Sequence, residues 1–309
     1  MIIVFGSINV DITTIVENFP QAGETIGGRM LEPLPGGKGA NQALAARRAG
    51  SDVVFYGAVG DDTLSDLGTS TLRADGVNID AIATYPGASG TALITLDGTG
   101  ENTIIVVPGA NARASQDRVP DHMMGSDTTM LLQMELDPVQ TWTLAARARD
   151  AGSRVIVNLA PAIDVASSSL ASVDVLVVNE GECLRAAKSL GWTLEGVCDE
   201  RSRPDAVGAG EWIAARHSVT TVVTLGSAGA ALCSPSKQTV RISSPSVTAV
   251  DTVGAGDALV GAFAAWLDAG ATLETALEAG VSAGALACTR SGAQASIPHR
   301  DSILELMQA

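Results

Sequence analysis

The segment from Asp251 to Asp257 has residue types and a spacing that suit chemistry on an anion. It reads Asp-Thr-Val-Gly-Ala-Gly-Asp and leads into an apolar helical run over residues 258–267. Two glycines around one alanine remove side-chain bulk where a helix starts, so the free N–H groups of its first turn can approach an anion closely. The helix dipole favours a charged Asp257 there. The segment is either an ordinary capped helix start or, opposite a phosphoryl group, a base held beside the charge on which it acts.

A second glycine-rich segment lies near the N-terminus. Residues 35–43 read Pro-Gly-Gly-Lys-Gly-Ala-Asn-Gln-Ala and run into a helical stretch that Gly50 should end. This is not a Walker A loop, because Gly39 rather than Ser or Thr follows Lys38 and the glycine spacing differs. Only three lysines occur in the whole chain, so a lysine inside this loop is less expected to be incidental.

An alternation of strand and helix patterns predicts the framework that must position these segments. It indicates an α/β fold, a doubly wound and mostly parallel sheet with helices on both faces. The predicted strands are residues 2–6, 53–57, 130–133, 154–158, 173–178 and 221–224, and the predicted helices are residues 41–49, 64–74, 138–151, 180–190, 208–216, 257–269 and 273–288.

Two stretches interrupt this alternation. Residues 12–17 and 24–31 are strand-like around a Pro/Gly turn, and residues 91–96 and 103–107 flank a turn-rich segment in the manner of a hairpin. We expect a small separate sheet, inserted from about residues 12–33 and 90–108, in a chain that otherwise forms a single domain over residues 1–309. Residues 192–210 are polar with little periodicity and are interpreted as a surface connection.

Composition excludes several classes of function. With 309 residues, 46% of them hydrophobic, the chain can bury one large α/β core. The net charge of −15 argues against binding a nucleic-acid backbone, and no segment is long and apolar enough for a membrane span. The four cysteines lack a C-x-x-C spacing and the three histidines are scattered, so we expect buried free thiols, no zinc site and a cytoplasmic location.

Polar residues follow predicted strands at points where doubly wound sheets bind ligands. Asn9 and Asp11 follow the first strand, Glu135 follows the strand at 130–133, and Asn179 and Glu182 form an N-x-x-E pattern at a helix start. Each also has a structural interpretation: a turn for the first pair, a strand-end surface charge for Glu135, and an N-cap with a first-turn acid for the last pair. Residue types alone leave both interpretations open.

The two glycine-rich segments together resemble the paired signatures of the ribokinase-like carbohydrate kinase family, whose second signature is the D-T-x-G-A-G-D run. Within the family, the sequence Gly-Gly-Lys-Gly-Ala-Asn at residues 36–41 is most similar to that of the members that phosphorylate ribose. Further matches extend, in the family's order, from residue 1 to about residue 300. They lie at residues 6–11, 98–102, 108–111, 158–161, 179–182, 224–227 and 290–294.

The resemblance implies an ATP-dependent kinase that phosphorylates the primary 5-hydroxyl of D-ribose to give D-ribose 5-phosphate and ADP. Asp257 would be the general base, and the N–H groups of Gly254, Ala255 and Gly256 would stabilise the developing negative charge. The alternatives are a kinase for another furanose or a nucleoside (deoxyribose, fructose, adenosine), a sugar-binding protein without catalysis, and a nicotinamide-dependent dehydrogenase. The dehydrogenase is disfavoured because residues 6–11 lack the dinucleotide glycine pattern.

The resemblance also implies the remaining site residues, the cofactors and the partners. Magnesium would accompany ATP, with Glu182 acting on it indirectly, potassium would activate, and a small lid sheet would cover the sugar and form a homodimer contact. Val10, where many ribose-phosphorylating members carry alanine, is expected to narrow the pocket. The implied sugar-binding residues are Asn9, Asp11, Gly37, Lys38, Asn41, Glu135 and Asp257; the ATP-binding residues are Asn179, Thr224, Gly226, Ser227, Gly229 and Gly256; the monovalent-cation residues are Asp251, Val253, Ala287, Arg290, Gly292 and Ser296.

Overall fold

The computed structural model describes residues 1–193 and 205–308, and in this part of the chain the strands form three sheets. The strands are β1 (Ile2–Phe5), β2 (Asn9–Ile15), β3 (Arg29–Met30), β4 (Leu34–Gly36), β5 (Val53–Tyr56), β6 (Ala58–Gly60), β7 (Ala83–Tyr85), β8 (Gly90–Leu96), β9 (Asn102–Val107), β10 (Thr129–Gln133), β11 (Arg154–Asn158), β12 (Val175–Asn179), β13 (Thr220–Thr224), β14 (Ala230–Cys233) and β15 (Val240–Ile242). The helices are α1 (Lys38–Arg48), α2 (Leu64–Ala74), α3 (Pro138–Asp150), α4 (Ser167–Leu170), α5 (Glu180–Ser189), α6 (Ala206–His217), α7 (Ala255–Asp268), α8 (Leu273–Ala287), α9 (Ala293–Ser296) and α10 (Arg300–Met307).

The main sheet has eight strands in the order β15-β14-β13-β12-β11-β10-β1-β5. The strands from β13 to β5 pair in parallel, whereas β14 and β15 pair antiparallel at one edge. Each face of the sheet has its own apolar core, because side chains alternate along every strand. Ile2 and Val4 pack with α1, α7 and α8 on one face, and Ile3 and Phe5 pack with α3, α5 and α6 on the other. The predicted doubly wound, mostly parallel α/β fold is confirmed.

The second sheet, called here the lid sheet, has the order β3-β2-β8-β9, and β4 also pairs with β2. It coincides with the separate small sheet expected from the sequence, but two of its strands differ. The strand predicted at residues 12–17 begins at Asn9, because Asn9 to Asp11 already pair with β4 and β8. The strand predicted at 24–31 is limited to Arg29–Met30, since Gly27 and Gly28 precede it and glycine weakens a strand.

Helix bounds differ from prediction where glycine or a capping residue decides them. Helix α1 begins at Lys38 rather than residue 41, directly after Gly37 with φ +92°. Helix α7 begins at Ala255 rather than residue 257, because Gly254 in a left-handed conformation caps it. Helix α6 begins at Ala206 because the Asp205 carboxylate accepts a hydrogen bond from the Val207 N–H at 3.0 Å. Short elements without a clear period were not predicted, namely β4, β6, β7, β14, β15 and the helices α4, α9 and α10.

The remaining expectations concern cysteines, one connection and membrane spans. Cys183 and Cys233 are buried free thiols, whereas Cys288 is only partly buried. Cys198 and most of the predicted connection at 192–210 lie outside the described residues. Over residues 1–193 and 205–308, helices fall short of the length and apolarity that crossing a membrane requires.

Candidate active site

The start of helix α7 carries the candidate base. Gly254 is the N-cap, with φ +79°, and a Cβ at this position would lie 2.9 Å from the Cα of Ala293. A side chain is therefore excluded for both conformational and steric reasons. The first strong intrahelical bond runs from the Ala258 N–H to the Gly254 carbonyl at 2.8 Å, so the N–H groups of Gly256 and Asp257 precede it. A Cβ on Gly256 would have no neighbour within 4 Å, which leaves open space in front of these donors.

The Asp257 carboxylate is buried and both of its oxygens are held. Its side chain lies in the first turn of α7, in a residue that is 7% exposed. Asn41 Nδ2 donates to Oδ2 and Gln42 Nε2 donates to Oδ1, each at 2.9 Å. Hydrogen bonds from two buried amides to a carboxylate are stronger than neutral ones, and together they fix its orientation. A carboxylate held in this way is able to act as a base.

A close crossing of α1 and α7 makes these two bonds possible. Gly261 lies on the face of α7 that meets α1, and a Cβ there would lie 2.5 Å from the Gln42 carbonyl oxygen and 2.8 Å from the Ala46 nitrogen. Only a glycine lets the two backbones approach so closely. The crossing brings the amides of Asn41 and Gln42 against Asp257, which is more than 200 residues away in sequence.

Charged side chains surround Asp257. Burial, together with the nearby Glu135 and Asp257 carboxylates, raises the pKa of Asp11 to about 6. The Asp257 carboxylate also raises the pKa of Lys38, with smaller contributions from Glu135 and Glu182 and against the effect of burial. Four of the sequence-predicted residues, Asp11, Lys38, Glu135 and Glu182, therefore act electrostatically at one place, and Lys38 is the cation among them.

Glu135 has a structural contact as well as its place in this cluster. Its Oε2 accepts a hydrogen bond from the Lys38 N–H at 2.9 Å and another from the Ser7 hydroxyl. The carboxylate thus satisfies a first-turn donor of α1, where the helix dipole favours a negative charge. The interpretation as an unpaired strand-end surface charge is wrong.

Asn9 and Asp11 lie on the lid sheet rather than in the turn expected after β1. The Asn9 Oδ1 accepts a hydrogen bond from Asn111 Nδ2 at 2.8 Å, and Asn111 also donates to the Ile8 carbonyl. The carboxylate of Asp11 lies against Gly36, where a Cβ would be 2.5 Å from both carboxylate oxygens. The glycine of β4 thereby makes room for the charged group.

Val10 does not narrow the pocket, contrary to the expectation from the sequence. Successive side chains of a strand point to opposite faces, so Val10 points away from its neighbours Asn9 and Asp11. It is buried, and its Cγ2 lies 3.6 Å from the position that a Cβ on Gly68 of α2 would take. Its size therefore affects packing of the lid on α2.

Two adjoining cavities open at the start of α7 and share Thr224, Thr252 and Gly256. The smaller, of about 230 Å³, is lined by Asp257, Lys38, Asn158, Asn179 and Glu182 among others. The larger, of about 580 Å³, takes in all four residues predicted after β13, namely Thr224, Gly226, Ser227 and Gly229. Its opposite wall was not predicted: it consists of residues 244–247 and of Ala285 and Cys288 at the end of α8, among others.

Asn179 and Glu182 form a capping box at the start of α5. The Glu182 N–H donates to Asn179 Oδ1 and the Asn179 N–H donates to Glu182 Oε2, both at 2.8 Å. The N-cap interpretation is therefore correct, and the pair also lines the smaller cavity. Burial raises the pKa of Glu182. A helix cap that faces a cavity is compatible with a second role there.

Asp251 joins two of the other residues implied for a monovalent cation, Val253 and Gly292. Its Oδ1 accepts a hydrogen bond from the Val253 N–H and its Oδ2 accepts one from the Gly292 N–H, each at 3.0 Å. The Ser296 N–H in turn donates to the Gly292 carbonyl at 3.2 Å, and the Arg290 N–H approaches the Ala287 carbonyl at 3.4 Å. Within residues 1–193 and 205–308, no group of three or more His, Cys, Asp or Glu side chains is arranged to hold a metal.

Comparison with known proteins gives this geometry its context. Residues 1–300 match the profile of the pfkB family carbohydrate kinases. The chain belongs to this carbohydrate kinase family. It is 33% identical to the ribokinase of Haemophilus influenzae over 309 residues, which cover 99% of the chain and 97% of that relative. The pfkB family assignment agrees with the resemblance of the two glycine-rich segments.

Solved structures of pfkB-type kinases have the same fold. The ribokinase of Thermotoga maritima superimposes with a TM-score of 0.88 at 31% identity, covering 100% of this chain and 99% of that one. The Arabidopsis thaliana ribokinase, solved as a complex with ribose and ATP, gives a TM-score of 0.86 at 30% identity, with coverages of 100% and 98%. Over essentially its full length, the protein is thus built like ribokinases.

Proposed function

We propose that the protein transfers the γ-phosphoryl group of ATP to the primary 5-hydroxyl of D-ribose, giving D-ribose 5-phosphate and ADP. The observation that carries the proposal is the buried, doubly hydrogen-bonded carboxylate of Asp257 at a helix start between two adjoining cavities. Full-length similarity to ribokinases, one of them solved with ribose and ATP, supports the choice of both substrates.

The chemistry follows from the position of Asp257. Its carboxylate accepts the proton of the sugar hydroxyl as the oxygen attacks the γ-phosphorus in line, and ADP leaves. The N–H groups of Gly254, Ala255 and Gly256 at the helix start are proposed to donate to the phosphoryl oxygens as negative charge develops; that of Ala255 lies 3.3 Å from the Thr252 carbonyl and would have to turn from it. Proton transfer to a positioned base contributes about 10²–10⁴-fold, and alignment of the two substrates contributes more.

The sugar is proposed to bind between the lid sheet and the start of α1. Asp11 accepts hydrogen bonds from two neighbouring sugar hydroxyls, with Asn9, Lys38, Asn41 and Glu135 around them, and Gly37 allows close approach of the backbone. The ATP is proposed to lie in the 580 Å³ cavity along Thr224, Gly226, Ser227 and Gly229, with its phosphates toward Asn179 and Gly256 in the smaller cavity.

A coupled assay of ADP release tests the proposal directly. Ribose, deoxyribose, fructose and adenosine are compared at equal concentrations with ATP, and the ribose product is identified by its phosphate position. Ribose is expected to give the highest kcat/KM. A higher value for fructose, deoxyribose or adenosine would transfer the assignment to that acceptor, and release of ADP that none of the acceptors stimulates would refute the kinase.

The pH dependence of sugar use is expected to follow Asp11. Sugar hydroxyls bond to the ionised carboxylate, and the pKa of Asp11 lies at about 6, so kcat/KM for the sugar should fall as the pH drops through about 6. Asp11→Asn should abolish this limb and lower kcat/KM, with a loss of transition-state stabilisation of about 2–4 kcal/mol. The control is kcat/KM for ATP at saturating sugar. If the substitution weakened ATP use instead, Asp11 would belong to the nucleotide site.

The raised pKa of Asp11 also determines how this residue contributes to the pH dependence of folding stability. A carboxyl whose folded pKa exceeds its unfolded value stabilises the fold when protonated, and that contribution is lost as the pH rises through the folded value. The fold therefore gives up stability at neutral pH in order to keep Asp11 ionised near 6 and above. Such a cost is expected of a binding residue rather than of a structural one.

Magnesium and a monovalent cation are proposed, like the site residues, from the resemblance to the carbohydrate kinase family. Magnesium, bound with the ATP phosphates, supplies charge neutralisation, and Glu182 and Asn179 are placed beside the smaller cavity to hold its water ligands. The donor set implied for the monovalent ion consists mainly of backbone carbonyls, whose neutral oxygens suit a weakly charged cation. Asp251 holds the two loops that carry these carbonyls and compensates the charge.

Turnover is expected to be activated by potassium. A cation held beside Val253 would fix the backbone next to Gly254 and so would orient the N–H groups of the helix start toward the phosphoryl oxygens. Rates are compared at constant ionic strength in K⁺, Na⁺ and tetramethylammonium salts, and K⁺ should give the highest. Equal rates in all three would remove the cation site from the proposal and leave the kinase intact.

We also propose a homodimer through the lid sheet. Strand β9 is at the edge of this sheet, and all six of its residues are exposed. Ile104 and Ile105 are 54% and 64% exposed, and Met30 on the opposite edge is 64% exposed. An exposed apolar edge strand is a template for pairing with a second copy. Sedimentation equilibrium of the protein and of Ile105→Glu tests this.

We propose that the protein acts in the cytoplasm, where ATP is supplied and free thiols persist.

A further inference from the structure

A chain of buried amides lies beneath the proposed base and meets it at Gln42. This residue is 0% exposed and is not among the residues that line either cavity. Its Nε2 donates to Asp257 Oδ1 and to Asn158 Oδ1, both at 2.9 Å, and its Oε1 accepts from Gln133 Nε2 at 2.7 Å. Both N–H donors of the Gln42 amide and one of the two lone pairs of its oxygen are therefore used.

The orientation of the Gln42 amide is fixed by the backbone. Asn158 Nδ2 donates to the Val177 carbonyl at 3.1 Å, and a carbonyl can only accept. The Asn158 oxygen must consequently face Gln42, which must present its nitrogen to Asn158. The second hydrogen of the same nitrogen then points at Asp257, and the order of donors and acceptors leaves no alternative.

A second branch reaches the other carboxylate oxygen. Gln294 Nε2 donates to Asn41 Oδ1 at 3.1 Å, so the Asn41 nitrogen is turned toward Asp257 Oδ2. Both branches thus direct an N–H at Asp257. Each carboxylate oxygen therefore accepts from an amide nitrogen whose own orientation is fixed by a further buried partner.

The arrangement costs stability. The side-chain oxygens of Gln133 and Gln294 are buried without a hydrogen-bond partner among residues 1–193 and 205–308. A buried unpaired amide oxygen is unfavourable by about 1–3 kcal/mol. A network that only stabilised the core would be expected to pair these two oxygens. A network that directs N–H donors at Asp257 instead uses the nitrogens of Gln133 and Gln294 to orient Gln42 and Asn41, which leaves the two oxygens unpaired.

We propose that Gln42 is a positioning residue for phosphoryl transfer: it holds the Asp257 carboxylate directed at the sugar hydroxyl without touching either substrate. This inference rests on the proposed function of the same site. The charged groups that face Asp257 are Lys38, Asp11, Glu135 and Glu182.

Two substitutions test the role of Gln42, and a third is the control. Gln42→Met keeps the length of the side chain but removes the donor, and Gln42→Glu replaces the donor by an acceptor of the same shape. Gln133→Met removes a buried amide one bond farther from Asp257 and leaves both donors to the carboxylate in place. Rates are expressed per folded molecule, from the near-ultraviolet circular dichroism amplitude, so that partial unfolding does not enter.

We expect Gln42→Met to lower kcat about 10- to 100-fold, the effect of a misdirected catalytic group, with KM for sugar and ATP within about threefold of the parent. The acid limb of its kcat–pH profile should move to higher pH, and Gln42→Glu should move it farther. Gln133→Met should leave the limb in place. A merely structural role would affect both glutamine sites alike and would not displace a pH limb.

The outcomes separate this inference from the function beneath it. Parent-like kcat and pH profile in both Gln42 variants, or an equal loss in Gln133→Met, would overturn the positioning role. If the positioning role is overturned in this way while Asp257→Asn is inactive in the same series, the kinase proposal still stands. If Asp257→Asn retains full turnover, the base assignment itself fails.

Discussion

Replacement of Asp257 by asparagine is expected to lower kcat at least about a hundredfold while ATP and sugar still bind. Asparagine cannot accept the proton of the attacking hydroxyl, and general-base catalysis by a positioned carboxylate contributes about 10²–10⁴-fold. It is close in size to aspartate, so the crossing of α1 and α7 should persist. The measurement is steady-state turnover, with nucleotide affinity from titration calorimetry and folding from the melting temperature.

Asp268→Asn is the matched control, because it removes a carboxylate from the other end of the same helix. Asp268 bonds to the N-terminal amine at 2.8 Å, at the opposite end of the main sheet from the proposed site. It should lose some stability and keep its turnover. Near-full turnover of Asp257→Asn would remove the central chemical step, and inactivity of Asp268→Asn would point to a general loss of folding.

Gly261→Ala is expected to lower the free energy of unfolding and turnover together. The added Cβ would lie 2.5 Å from the backbone oxygen of Gln42, so the two helices must separate. Overpacking of this kind is unfavourable by about 1–3 kcal/mol, partly offset by up to about 1 kcal/mol of helix propensity. Because the shift moves the amides away from Asp257, kcat should fall about 10- to 100-fold. Urea unfolding and turnover are measured on the same preparation.

Gly181→Ala provides the comparison for a helical glycine with room for a side chain. A Cβ there would meet only the Asn179 oxygen, at 3.6 Å, an ordinary contact. Its free energy of unfolding should therefore be unchanged or slightly higher, since alanine is the better helix former. If Gly261→Ala behaved like Gly181→Ala, the close crossing would not be what holds the amides against the base.

Much of this site is readable from sequence because its parts are local signals. Alternating apolar strands predict the parallel sheet, and the Gly-Ala-Gly-Asp run places an acid at a helix start without reference to anything distant. Even so, the run does not reveal that α7 begins at Ala255, because neither the left-handed conformation of Gly254 nor the nearness of Ala293, which excludes a side chain there, is visible in the sequence. Asn9 and Asp11 are typical turn residues, and only pairing with β4 and β8 makes them part of a strand.

Gln42 could not be identified in the same way. In an alanine-rich helix an amide is an ordinary residue, and its importance arises from a helix crossing and from an asparagine on β11. Gly261 carries a weak signal, since glycine inside an apolar helix usually marks a close approach. The partner in that approach is not visible in the sequence. The wall of the larger cavity at residues 244–247 has no regular pattern, so no periodicity could indicate it.

The hydrogen bonds at the base join parts of the chain that are synthesised far apart in time. Asn41 bonds to Asp257 across 216 residues and to Gln294 across 253. Contacts of such separation form after local ones, because the entropy of closing a long loop must be overcome first. A chain synthesised only as far as β13 contains every strand of the parallel part of the sheet but lacks Asp257 and Gln294. Recovery of turnover during refolding is therefore expected to report assembly of the C-terminal elements as well as of the sheet.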